Sequence, residues 1–205
     1  MPKSIDDIEI LHGSSLDIIF DEIFAEYFFK DGGESIFPRN SPQVASNIMI
    51  NQSLRLNGFR CKRTEAVTKM TVVCSTGAAA TPTLIRYGVY QRGSDRNYTL
   101  IASTPNDAPA TMLSVANTPY PKNFSQPFTK VRGEEYLTGV LVVTPAALPT
   151  LYGHSVVNAQ NNIITFGTPD PVRLASLSGQ SDLPATLTAA ALNSTNCGSV
   201  QTILS

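Results

Sequence analysis

The chain contains no tryptophan, two histidines and three cysteines, and only 15% of its 205 residues are charged. Each shortage removes a class of function. Enzymes of this size usually bring His, Cys, Asp or Glu together at sensible spacing, but His12 and His154 stand far apart in sequence. His154, in Tyr152-Gly153-His154-Ser155, lacks a Gly-x-Ser-x-Gly elbow and has no orienting acid nearby. Glu134 and Glu135 are adjacent, so on a strand they point to opposite faces, which favours a solvated turn-entry pair over the alternative of a carboxylate pair for glycoside hydrolysis. Gly77 to Thr81 lacks the Gly-Lys-Ser/Thr of a phosphate loop. Cys61, Cys74 and Cys197 form an odd set without CxxC spacing, which argues against a zinc knuckle or a disulfide framework. Buried free thiols are expected, with a Cys61 to Cys74 bridge as the alternative. The lack of tryptophan weakens a carbohydrate-module reading, since a sugar platform favours large flat rings. No apolar run approaches the roughly 20 residues that cross a bilayer, and the first thirty residues are acidic where a secretory signal would be basic. The expectation is a protein made in the cytoplasm, with no catalytic residue, metal, cofactor or membrane insertion.

The net charge of −1 argues against a non-specific grip on nucleic acid, but it hides an asymmetry. Residues 1–35 hold nine acids against two bases, a net −7, whereas the remainder holds seven acids against thirteen bases, a net +6. The acidic part carries the one clear helical period, from Ser14 to Phe29. Leu16, Ile19, Phe20, Ile23, Phe24 and Tyr27 make a wide apolar stripe opposite Asp17, Asp21, Glu22 and Glu26. Ser14 with Asp17 resembles a capping box, and Gly32-Gly33 stops the helix. The stripe is the candidate anchoring interface, packing either on the chain's own body or on another subunit of an assembly. Residues 36–43, IFPRNSPQ, read as a linker. The expected domains are therefore an acidic arm over 1–35, the linker over 36–43 and a body over 44–205.

In the body, short apolar runs alternate with Gly, Pro, Asn, Ser and Thr. The clearest is a hairpin, Leu84 to Tyr90 and Tyr98 to Ala102 joined by Gln91 to Asn97. Leu54 to Cys61, Val67 to Ser75, Phe124 to Val131, Tyr136 to Thr144, Thr150 to Val157 and Ile163 to Phe166 complete the set, with Ser199 to Leu204 as a possible last strand. This spacing predicts a mainly β fold, an antiparallel β-sandwich of jelly-roll-like type with the helical arm in front. Tyr136 to Val143 is apolar on both faces, so one face needs cover from loops of the same chain or from a neighbouring subunit. From Thr168 onward the tail is expected to lie over the body as extended chain. Tyr98, Tyr120 and Tyr152 fall at or near turns and, with Arg92 and Arg96 of the hairpin loop, are the candidate outward contacts. Arg60, Lys62, Arg63 and Lys69 cluster about one turn, which is solvated by default and otherwise suits the acidic arm of a neighbouring copy.

Six pieces in order extend the reading. They are Phe59 with Arg63 to Met70 (RTEAVTKM), Thr83 to Tyr90 (TLIRYGVY), Leu100 to Asp107 (LIASTPND), Gly133 to Val143 (GEEYLTGVLVV), Pro149 to Gly153 (PTLYG) and Gly179 to Ala185 (GQSDLPA). Together they resemble a family of small β-rich structural domains of tailed-bacteriophage virion proteins, commonly at the C-terminal end of minor tail or fibre-like proteins. The resemblance covers about four fifths of the chain. It implies a jelly-roll-like virion component, homotrimeric and without enzymatic activity, and it transfers no catalytic residue. The chain departs from the pattern in having the acidic arm where a fibre shaft would stand. The expected function is thus a non-enzymatic virion structural protein, minor tail or fibre-like, anchored on other tail, collar or capsid proteins by its arm. A capsid decoration or head-fibre protein is the first alternative, and a receptor-recognition domain for a host surface glycan the second.

Overall fold

A computed structural model describes residues 34–35, 45–75, 79–106, 113–144, 146–153, 174–193 and 200–205. The helical period over 14–29 with its apolar stripe, the linker, His12, His154, Cys197 and the strand expected at Ile163 to Phe166 lie outside these residues. Among the described residues the chain is mainly β and contains no α-helix. The strands are β1 (Glu34–Ser35), β2 (Ala45–Ile48), β3 (Leu54–Arg60), β4 (Glu65–Cys74), β5 (Leu84–Arg92), β6 (Tyr98–Ser103), β7 (Thr118–Lys130), β8 (Glu135–Val143), β9 (Thr150–Gly153), β10 (Leu174–Leu177), β11 (Thr186–Leu187) and β12 (Thr202–Leu204). One short 3-10 turn, Ala189–Ala191, follows β11.

The strands form two antiparallel six-stranded sheets. In sheet A the order is β1-β12-β4-β9-β2, with β7 on the other edge of β4; in sheet B it is β10-β3-β8-β5-β6-β11. β4 is the spine of sheet A; its register with β7 shifts between Val67 and Lys69, where two steps on β4 face five on β7, Phe128 to Asn123, and against the Ser205 end of β12 it carries a bulge of its own. The Thr68 and Lys69 N–H groups both donate to the Ser205 main-chain oxygen at 2.9 Å. The extra residue turns Thr68 and Lys69 outward and keeps Val67, Met70, Val72 and Cys74 buried. β7 begins at Thr118, six positions before the expected Phe124, and carries Pro119 and Pro121. Two residues apart, these prolines turn their missing donors to the same edge of the strand. Among the described residues β7 pairs along one edge only, with β4, so no ladder bond need be lost.

Sheet B has two buried faces. Ile85, Tyr87 and Val89 of β5 and Tyr136, Val140 and Val142 of β8 join Val67, Met70, Val72, Leu151 and Leu204 of sheet A in one core cluster. The alternate residues Leu54, Leu56, Tyr90, Leu137 and Leu141 join Tyr98, Ala175, Leu183, Leu187 and Leu192 in a second. The cover that the two-faced strand Tyr136–Val143 requires is therefore supplied by the chain itself, through residues 174–193. Glycine makes room for it. Gly88 and Gly139 stand opposite each other on β5 and β8, and the Tyr90 ring lies over both, its Cε2 3.5 and 3.4 Å from where a Cβ would be. Cys61 and Cys74 are buried thiols, and the alternative bridge between them does not form. Burial pushes the Cys74 thiol up from its ordinary pKa.

Candidate functional site

The strand registers divide the candidate residues between two opposite ends of the sheets. At one end lie the β3–β4 turn, the β7–β8 turn and the β5–β6 loop. The first two are stitched together: Cys61 N–H donates to the Glu134 carbonyl at 2.9 Å and Gly133 N–H to the Cys61 carbonyl at 2.8 Å. Arg60 Nε donates to the Gly133 carbonyl at 3.0 Å, and Arg132 N–H to Thr64 Oγ1 at 2.9 Å. The β5–β6 loop is shorter than expected, since the strands run to Arg92 and resume at Tyr98. Arg96 N–H bonds the Gly93 carbonyl at 3.1 Å and Gly93 N–H the Asn97 carbonyl at 2.7 Å. Arg96 takes the left-handed φ of 66° that this tight return needs. Asp95 accepts from the Asn97 side chain at 2.8 Å and from its N–H at 3.1 Å, and these bonds hold its carboxyl below the usual range.

This end is basic. Arg60, Arg63, Arg96 and Arg132 are exposed and Lys62 is half-buried. Two further bases are turned to structural use: Arg92 meets Glu135 at 2.6 Å, and Lys130, almost wholly buried, meets Glu65 at 2.7 Å. Val131 stands among them, 44% exposed. Lys69 also lies on the outer side of β4, in the same direction along the sheet.

Among the described residues, the loops around Gln52, Thr81 and Asn117 at the other end carry no charged side chain. Tyr120 and Tyr152, from β7 and β9, both reach the turn over 113–117. Tyr120 Oη accepts from the Val115 N–H at 2.7 Å, and Tyr152 Oη donates to Asn117 Oδ1 at 2.7 Å. Gln52, Thr81, Leu113 and Asn117 adopt left-handed φ values of 46–58° in the loops here.

Of the candidate outward contacts, only Arg96 is exposed. Arg92 is partly buried in its ion pair. Tyr98 is 1% exposed and belongs to the second core cluster, because the period of β6 turns it inward under residues 183–187. Tyr120 and Tyr152 are half-buried and spend their hydroxyls on the turn. The five thus form no single patch.

Several polar groups that the sequence did not single out hold the body together. Arg86, the polar break in the outer face of β5, clasps Asp182 through Nη1 at 2.7 and 2.9 Å, Ser103 through Nη2 at 2.8 Å and the Thr104 carbonyl through Nε at 3.0 Å. Lys122 reaches from β7 to the Ile85 and Pro105 carbonyls, both at 3.3 Å, beside the Tyr87 ring. Asn57, 1% exposed, donates from Nδ2 to the Val200 carbonyl at 2.8 Å and accepts from the Val200 N–H at 3.2 Å. Beside it the Thr138 and Thr202 hydroxyls meet at 2.9 Å. Among the described residues, no three of His, Cys, Asp or Glu come together in a way that could hold a metal ion. In comparison with known proteins, the chain matches no family model and no curated protein.

Proposed function

We propose that the chain is a non-enzymatic structural component of a tailed-bacteriophage particle, minor tail or fibre-like, whose two sheets form a jelly-roll-like sandwich and whose N-terminal arm anchors it. The observation that carries this reading is that the sequence pieces behind the resemblance pack as one unit. Arg86 of TLIRYGVY is salt-bridged to Asp182 of GQSDLPA, and Gly88 of the first faces Gly139 of GEEYLTGVLVV. Leu100 of LIASTPND and Leu183 of GQSDLPA both close on the position where a Gly88 side chain would stand, each at 3.0 Å. Pieces scattered from Thr83 to Ala185 thus describe one packing scheme, with charge spent on joining strands, which suits a rigid scaffold.

The expected homotrimer rests on the resemblance, since the second face of β8 already has its cover within the chain. The test is deletion of residues 1–35, scored on purified particles. A folded body that no longer co-purifies with particles supports the anchor, and normal incorporation refutes it. Immunogold labelling at the tail supports the minor-tail reading, and labelling confined to the head replaces it with a capsid decoration protein.

A further inference from the structure

The strand order fixes the direction from which the acidic arm enters the body. Glu34 pairs with Leu204, which pairs with Met70; Ser35 pairs with Ile203, which pairs with Thr71. β1 therefore runs parallel to β4, two strand spacings or roughly 10 Å away. Followed backwards from Glu34, the chain leaves β1 on the side of Lys69, Thr68 and Val67. That is the side of the β3–β4 turn and the basic end. Residue 63 lies six positions above Lys69, about 20 Å at the rise of a strand, within reach of the chain preceding Glu34.

Charge points the same way. Among the described residues the turns of the basic end carry Arg60, Lys62, Arg63, Arg96 and Arg132 against the acids Glu134 and Asp95, while Glu135 and Glu65 meet Arg92 and Lys130. Residues 1–35 carry a net −7. The exposed Val131 adds an apolar contact at the same place. A segment tethered by a few residues meets its own body at an effective concentration of order millimolar, so its own basic end outcompetes a neighbour's at ordinary protein concentrations.

We propose that the acidic segment 6–31 docks on the basic end of its own chain, against the β3–β4 and β7–β8 turns. Before assembly the arm is thereby parked beside the body, and its release or turning is a step that a binding partner can drive. The docking does not depend on what that partner is.

The test is zero-length carbodiimide cross-linking of the full chain, followed by peptide mapping. Lys122 and Lys130 are buried, whereas Lys69 is exposed and Lys62 half-buried. Amide links from Lys62 or Lys69 to carboxylates among Asp17, Asp21, Glu22, Glu26 and Asp31 are expected. A mixture of heavy- and light-isotope protein should give them within one isotope class. Their yield should fall at 1 M salt, where the screening length shrinks from about 10 Å at 0.1 M to about 3 Å. It should fall about tenfold in Arg63→Glu with Arg132→Glu, two exposed positions whose reversal turns attraction into repulsion. Far-ultraviolet dichroism of that variant checks that the strands persist. Absence of arm links to Lys62 and Lys69, links only between isotope classes, or links indifferent to both salt and charge reversal would each overturn the proposal.

Discussion

Replacing Asn57 by leucine tests the central claim about the architecture, that one buried amide fastens the C-terminal strand to the opposite sheet. The side chain matches both hydrogen-bonding groups of Val200, at 2.8 and 3.2 Å, in a site where Asn57 is 1% and Val200 0% exposed. Leucine keeps the volume approximately and removes both partners. The Val200 N–H and carbonyl are then buried without a bond, at a cost of about 1–3 kcal/mol each. Set against a modest gain from burying an apolar side chain, the net loss is roughly 2–4 kcal/mol. For a chain of this size each kcal/mol lowers Tm by about 2–4 °C, so a fall of roughly 4–16 °C is expected. Urea unfolding gives the free energy. Hydrogen exchange gives the location: the Thr68 and Lys69 amides, which bond Ser205, should lose protection ahead of the β5–β8 ladder. Asn57→Asp supplies a second check. It keeps the acceptor for Val200 N–H but buries a carboxylate whose pKa desolvation raises. A group whose acid form the fold prefers binds more protons folded than unfolded, so this variant should gain stability as the pH falls from 7 towards 4. A leucine variant within 0.5 kcal/mol of the parent, or an aspartate variant indifferent to pH, refutes the reasoning.

Three further outcomes follow from the second core cluster. Gly139→Ala places a Cβ 3.0 Å from Leu54 Cδ1 and 3.2 Å from Leu56 Cδ2; because both are ends of flexible side chains, a loss of about 1–2 kcal/mol in urea unfolding is expected, and a stabilised variant would contradict the packing described. Asp182→Ala removes the carboxylate from the partly buried Arg86 guanidinium, where the partner is 54% exposed; it should cost about 1 kcal/mol or less globally yet speed proteolysis within 178–193 several-fold, and unchanged cleavage would show that the leucines alone hold that segment. The Tyr90 hydroxyl is buried without a hydrogen-bond partner, and burial pushes its pKa far above the ordinary phenol value. Unfolded tyrosine ionises near pH 10 while the buried one does not, so stability should be present below that pH and lost as pH rises above it. Tyr90→Phe should be neutral or stabilising by about 1 kcal/mol and should blunt the alkaline loss, which pH-dependent melts would show; a destabilised phenylalanine variant would mean that the hydroxyl has a bond after all.

The parts of this fold that were legible in the sequence are those where local preference and final environment agree. β5, β6 and β8 are dense in β-branched and aromatic residues, and the structure places them next to one another as expected for strands buried on both faces. β7 was half-hidden, because prolines that argue against a central strand are harmless on an edge. β10 and β11 were invisible. Leu-Ala-Ser-Leu and Thr-Leu have little strand preference of their own and become strands by pairing with β3 and β6. Tyr98 misled because its place in the chain, just after a turn, suggested exposure, whereas the register of β6 decided its face. The polar clasps could not be read at all. Arg86 and Asp182 are 96 residues apart, and Asn57 and Val200 are 143 apart, and no local pattern records a bond at such range. The basic end was half-legible: Arg60, Lys62, Arg63 and Lys69 cluster in sequence, but Arg96 and Arg132 join them only through the register.

The position of β12 links these features mechanically. Among the described residues β1 pairs with β12 alone, through Glu34 with Leu204 and Ser35 with Ile203. β12 in turn bonds to β4 at three positions, and its approach is held to sheet B by Asn57 and by the Thr138–Thr202 hydroxyls. A load applied at Glu34 is shared between the β1–β12 ladder, which passes it to β4 and the buried amide, and the covalent chain that continues to β2. A two-pair ladder is weak by itself, which leaves the clasp at Asn57 to keep β12 in place when its outer partner is pulled. Loosening that clasp should free β1, and the arm with it, without altering any charge at the basic end. If the arm docks as proposed, its strand attachment to β12 and its charge attachment to the turns are separable, since one depends on the clasp at Asn57 and the other on the bases of the β3–β4 and β7–β8 turns.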